Sequence, residues 1–202
     1  MTIHRQTGTN ADFIGSYAPE DLVLQTARGL ACEVGLSPVA PATGATLRLL
    51  AAANSARSVV EIGTGTGVSG LWLLRGMRAD GVLTTIDVEA EHQRMARRLF
   101  VEAGFPSSRT RIITGRAIDV LTRLADGVYD MVFVDADPAE FGPCVEAAGR
   151  LLRVGGVLAL HGALTRTVTA NVAATVRDSE LWAPAMIPVG DGLLAAVRLP
   201  DQ

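Results

Sequence analysis

The period of apolar and polar positions changes several times along the chain, and these changes mark out its elements. Residues 1 to about 18 are polar and turn-rich and read as a mobile arm. From Pro19 to Gly35 the residues Leu22, Val23, Thr26, Leu30 and Val34 recur at helical spacing. Pro38 and Pro41 then break the chain before a second helix through Leu47 to Ala53. A strand-then-helix rhythm follows. Strands are expected at Ser58 to Ile62, Val82 to Ile86, Arg111 to Ile113, Met131 to Val134 and Gly156 to Leu160. The helices between them are expected at Val68 to Met77, Ala90 to Ala103, Ala117 to Leu124 and Pro138 to Leu152. Such alternation builds a parallel sheet with right-handed crossovers. After a last helix near Val168 to Val176, the apolar runs Ala185 to Val189 and Leu193 to Val197 flank Gly190-Asp191-Gly192. An Asp-Gly turn between apolar runs predicts a hairpin, so the sheet should end on an antiparallel strand.

The 202 residues suit one domain. Its expected parts are the arm over 1–18, the N-terminal helices over 19–55 and an α/β core over 56–202. The formal net charge is -3, and every basic side chain other than histidine is Arg. That balance predicts no general affinity for nucleic acid, whose phosphates reward a basic face. Cys32 and Cys144 make no metal-ligand spacing and read as buried small hydrophobes. The stretch MTIHRQTGTNADF lacks the apolar core of a signal peptide, and no apolar run reaches the length of a membrane span. These features predict a cytoplasmic protein with no membrane partner.

The sharpest motif is Val59-Val60-Glu61-Ile62-Gly63-Thr64-Gly65-Thr66-Gly67, a buried strand running into a glycine loop and then a helix. Glycines there allow positive φ and close approach of a ligand, and the helix behind them offers free N–H groups. Gly65, Gly67 and Gly70 satisfy the dinucleotide spacing, but counted from Gly63 at the strand end the third position is Val68, which weakens a dinucleotide reading. Glu61 lies two residues before the first glycine. It can face a cationic amino group or hold the loop backbone, whereas a pyrophosphate would be repelled by it. Asp87 ends the next strand, roughly 20 residues beyond the loop, where an acid accepts bonds from ribose hydroxyls. It can alternatively cap the following helix.

These residues resemble the class I S-adenosylmethionine methyltransferases, and within them the caffeoyl-CoA and catechol type of O-methyltransferase. The similarity runs from about Ala18 to Val197. It includes Ser37-Pro38-Val39-Ala40-Pro41 with Gly44, the glycine loop through Ser69, Thr84-Thr85-Ile86-Asp87, Val132-Phe133-Val134-Asp135-Ala136-Asp137, Leu151 to Leu158, and Ile187 to Leu193. The resemblance implies a Rossmann-like α/β fold with a mostly parallel seven-stranded sheet, an antiparallel C-terminal strand and helices on both faces. It implies S-adenosylmethionine as cofactor, lined by Glu61, Gly63, Ser69, Asp87 and Asp135. Val39 and Ala117 add backbone or apolar contacts, and Thr64, Gly65 and Val88 complete the set. It further implies a homodimer whose N-terminal arm shapes the pocket of a small-molecule acceptor.

In cation-dependent members of that family a divalent metal is held by the first Asp of the D-A-D segment and by an Asp-Asn pair after the next strand. A Lys follows the D-A-D segment. Here Asp135 stands in the first place, the pair is His161-Gly162, and the Lys position is Pro138. Gly162 has no side chain, and a hard cation prefers oxygen to imidazole, so no metal is expected. Asp137-Pro138 reads as an N-cap followed by Pro at the first helical position. His161 reads either as a loop-filling histidine or as the base that takes the acceptor's proton, with Asp135 beside the reacting methyl. His4 and His92 read as exposed bystanders. The rival readings are a nicotinamide-dependent oxidoreductase and a cofactor-binding protein that has lost catalysis.

Overall fold

The structure is a computed structural model that describes residues 10–164 and 167–201. Three helices come first: α1 (Asn10–Tyr17), α2 (Leu22–Glu33) and α3 (Pro41–Ala53). Then β1 (Ser58–Ile62), α4 (Val68–Gly76), β2 (Val82–Asp87), α5 (Ala90–Glu102), β3 (Thr110–Thr114), α6 (Ala117–Leu121) and β4 (Tyr129–Val134) alternate. A short 3-10 turn, Pro138–Glu140, leads into α7 (Phe141–Leu151), followed by β5 (Leu152–His161), α8 (Thr167–Asp178), β6 (Trp182–Ile187) and β7 (Leu193–Arg198).

The seven strands form one sheet in the order β3-β2-β1-β4-β5-β7-β6, with β1 to β5 parallel and β7 antiparallel to both its neighbours. Side chains of a strand alternate between faces, and both faces are covered. Val59 and Phe133 pack under residues of α2 to α5, while Val60, Ile62, Val132 and Val134 pack under residues of α6 to α8. Each fully buried Val, Leu or Ile contributes about 1.5–3 kcal/mol, so this two-sided burial carries the sheet. Gly44 lets α3 press against α4, since a Cβ there would lie 2.3 Å from the Trp72 ring.

Several elements depart from the sequence expectation. Residues 10–17 of the expected arm form α1, which packs against α3. Residues 1–9, with His4, lie outside the described residues. The helix expected over Pro138 to Leu152 is a 3-10 turn followed by α7. Asp137 does cap that turn, its Oδ1 accepting from Ala139 N at 2.9 Å. β5 starts at Leu152 rather than Gly156, because Leu152 pairs with Tyr129 across a bulge that shifts the register before Met131. Gly155, at φ +77°, makes that bulge possible. The expected hairpin is present, but its connection is wider than Gly190-Asp191-Gly192: Ile187 pairs with Leu193, leaving Pro188 to Gly192 between the strands. Cys144 is buried, but Cys32 is exposed near the end of α2, against expectation. His92 is half-buried rather than exposed.

Candidate active site

Where the sheet order turns from β1 to β4, the carboxyl ends of β1, β2 and β4 open onto a cleft, the place where open α/β sheets receive ligands. The cleft has two connected halves that share Gly63, Asp87, Asp135 and Ala136. The first, of about 260 Å³, lies between the glycine loop and the segment joining α2 to α3, with Val39, Thr64, Gly65 and Ser69 on its walls. The second, of about 270 Å³, runs over the end of β2 and is walled by Val88, Gly115 and Ala117.

The floor of the cleft is backbone. Gly63 N donates to Ile86 O at 2.9 Å, and Asp135 N donates to Ile62 O at 2.8 Å, so β1, β2 and β4 are stitched together at their tips. Gly63 sits at φ +96°, and a Cβ there would lie 2.0 Å from the Asp135 carbonyl oxygen. Only glycine fits this crossing. Asp87 holds the loop from the other side: Oδ2 accepts from Gly65 N at 2.8 Å and Oδ1 from Glu89 N at 2.9 Å. Glu89, not Asp87, occupies the N-cap position of α5. A carboxylate offers about four lone-pair sites, so Asp87 retains capacity to accept from a ligand.

Of the residues singled out in the sequence, Val39, Gly63, Thr64, Gly65, Ser69, Asp87, Val88, Ala117 and Asp135 meet on this cleft. Glu61 does not. It is 0% exposed behind the loop, where Oε1 accepts from Ser69 Oγ at 2.6 Å and Oε2 from Thr85 Oγ1 at 2.6 Å. His161 also stands back from the cleft walls. It is 8% exposed, and its Nδ1 lies 2.9 Å from Asp135 Oδ1, so Asp135 stands between it and the cleft.

Burial pushes the Glu61 carboxyl up from its ordinary 4.5 to about 7, the negative charges of Asp135 and Asp87 adding to the rise and the Ser69 and Thr85 hydrogen bonds opposing it. Folding therefore favours the protonated form. Its contribution to stability is full below pH 4.5 and is lost as pH rises through about 7, on the order of 3 kcal/mol. Stability measured by denaturant unfolding across this range should fall in the wild type and stay flatter in Glu61→Gln. Parallel profiles would show that Glu61 does not titrate there.

The chain matches the family described as O-methyltransferase over residues 17–199. A Mycobacterium tuberculosis protein named as a probable O-methyltransferase is 52% identical over 192 residues, spanning 89% of this chain and 86% of its own. The chain belongs to the O-methyltransferase family. It is an S-adenosylmethionine-dependent enzyme of class I. Among solved structures, a Corynebacterium glutamicum protein superposes with a TM-score of 0.86 at 34% identity, covering 94% of this chain and 95% of that one. The O-methyltransferase TomG of Streptomyces achromogenes, solved in complex with S-adenosylmethionine, superposes with a TM-score of 0.83 at 28% identity, over 94% of this chain and 95% of that one. Neither the nicotinamide reading nor the reading without catalysis is favoured. Gly70, which completed the dinucleotide spacing, is a packing residue: a Cβ there would lie 2.7 Å from Phe100.

In this O-methyltransferase the donor set does not suit the hard cation of the cation-dependent relatives. Asp135 Oδ1 is engaged by His161, Gly162 has no side chain, and Asp137 Oδ1 caps a turn. Among the described residues no three His, Cys, Asp or Glu side chains gather as a metal site. Sequence reasoning also missed wall residues. Gly115 follows β3, lines the second half and donates its N–H to Asp87 O at 2.9 Å; its place just past a strand was the available signal. Arg28, paired with Glu20, donates to Val39 O at 2.9 Å and fixes that wall; no local pattern announced it.

Proposed function

We propose that this enzyme transfers the methyl group of S-adenosylmethionine to a hydroxyl of a small, phenolic acceptor, with no divalent metal. The observation that carries this reading is the cleft at the β1–β4 switch, where bare glycines, an acid on β2 and an acid on β4 converge. Bound there, the cofactor supplies an electrophilic sulfonium methyl. Val39, Gly65 and Ser69 would hold its amino-acid end, Asp87 its ribose, and Val88 and Ala117 the purine side. Such holding aligns donor and acceptor for in-line displacement, which is where most of the rate advantage of a two-substrate site arises.

The base role that the sequence suggested for His161 passes to Asp135 in this proposal. Asp135 reaches both halves of the cleft, and its charge favours the cationic cofactor. His161 holds the Asp135 carboxylate in orientation through Nδ1. With no metal to acidify the acceptor, a carboxylate suffices only for a hydroxyl that is already acidic, which is why a phenol fits better than an alcohol.

The same proposal includes a homodimer and a cytoplasmic setting. Phe13, Ile14 and Tyr17 of α1 and Leu22 of α2 are exposed, an apolar surface that a second copy would cover. Cys32 and Cys144 are both free thiols, and among the described residues no helix is long and apolar enough to cross a membrane. No nucleic-acid partner is proposed.

The test is a methyl-transfer screen over phenolic acceptors, with and without EDTA. Transfer that survives the chelator is expected. Magnesium-dependent turnover abolished by EDTA would overturn the metal-free reading, and failure to bind S-adenosylhomocysteine would overturn the assignment of the cleft.

A further inference from the structure

A second hollow lies between α8 and β6, the edge strand of the sheet, and shares no wall residue with the cleft. Its volume is about 440 Å³, larger than either half of the cleft. On one side α8 presents Ala170, Ala173, Ala174 and Arg177, the i, i+3, i+4, i+7 face by which a helix normally packs on a sheet. Three of those four side chains stop at Cβ, so the space that a Leu or Ile would fill stays open. Pro184 and Met186 of β6 stand opposite. Among the described residues that wall the hollow, Arg177 carries the only charge. An apolar concavity of this size with one placed polar group has the form of a small-molecule site.

Arg177 donates Nε to Asp178 Oδ1 at 2.7 Å and Nη2 to Asp178 Oδ2 at 3.0 Å, which leaves the two Nη1 protons for another acceptor. Asp178 is not on the wall, and both partners are well exposed, a setting in which an ion pair is weak. The edge of β6 is poorly suited to an added strand. Pro184 has no N–H to offer there, and Trp182 N already donates to Ser179 O at 3.3 Å.

We propose that this hollow is a second ligand site, separate from the cofactor cleft, and that it takes a small amphipathic carboxylate. The apolar ring or chain of the ligand lies against Ala173, Pro184 and Met186, and its carboxylate accepts from Arg177 Nη1. Burial of the apolar body drives binding, and the single charge decides which end meets Arg177. Met186, unbranched and exposed, adapts to the shape of the body.

Fluorescence titration of the full chain with anilinonaphthalene sulfonate, displaced by decanoate, tests this, with decanol as the uncharged comparison. Ala173→Phe fills the hollow and should weaken both dye and decanoate by about tenfold or more. Arg177→Gln should weaken decanoate by about fivefold or more and leave decanol within about twofold, as expected for the loss of a charge-assisted contact. S-adenosylhomocysteine affinity, read by calorimetry, should stay within about twofold in both variants; its loss in a folded variant would show that the two sites are not separate. Dye and decanoate binding unchanged by Ala173→Phe overturns the inference, because the probes then sit elsewhere, as on the exposed face of α1. Where that variant does not fold, Ala170→Leu gives the same reading. Equal losses of decanoate and decanol in Arg177→Gln overturn the assigned ligand chemistry, and a wild-type chain with no saturable binding of either anion overturns the site.

Discussion

Gly65→Val is expected to reduce cofactor affinity by at least about 100-fold, close to 3 kcal/mol, while the protein still unfolds cooperatively. Gly65 adopts φ +48°, a region that a β-branched residue occupies only under strain. There is room for a Cβ, whose nearest neighbour would be Leu36 Cδ1 at 3.5 Å, so the fold can absorb the change. The loop cannot absorb it as easily. Relaxing φ turns the Gly65 N–H away from Asp87 Oδ2, now 2.8 Å distant, and places an isopropyl group on the cleft wall. Gly63 makes the contrast: its missing Cβ would meet the Asp135 backbone, so a side chain there would disturb the sheet as well as the cleft. Titration with S-adenosylhomocysteine and a thermal melt of Gly65→Val check the two halves of this expectation. Wild-type affinity in a folded variant would remove the loop from the site.

The parts of the fold that could be read in advance are those fixed by local period and local turn chemistry. The β1 strand and its glycine loop announced themselves because a buried apolar run must end in glycines for the chain to turn at positive φ. What could not be read depends on distant partners. Leu152 to Val154 could extend a helix or begin a strand, and only the pairing of Leu152 with Tyr129 decides it. Residues 10–17 carry little helical signal alone and are helical where they can lean on α3. Cys32 falls on the solvent side of α2, while Ala27 and Ala31 take the buried side, a choice set by which face meets the core.

At the candidate site the split has the same origin. Backbone-determined members such as Gly63, Gly65 and Asp87 sit where the strand ends put them. The roles of Glu61 and His161 depended on what stands in front of each, which sequence spacing does not carry. Ser69 on α4 screens Glu61 from the cleft, and Asp135 screens His161. Spacing placed both residues at the strand ends around the cleft and left two readings open for each.

Asp135→Asn carries the second large effect, a fall in kcat of about 100- to 1,000-fold, within the range of general-base loss, with cofactor affinity changed far less. The substitution keeps size and leaves an amide able to hydrogen-bond His161 Nδ1, so what it removes is the charge and the basicity facing the cleft. The backbone of residue 135 stays anchored by its N–H to Ile62 O at 2.8 Å, which keeps the floor of the cleft in place. His161→Gln should cost less, about tenfold, because the lost group orients the carboxylate and does not itself meet the acceptor. The proportions matter more than either value. If His161→Gln slows turnover as far as Asp135→Asn, the two act as one proton-accepting unit; if Asp135→Asn leaves kcat intact, the acceptor's proton goes to water and the carboxylate has no part in the step.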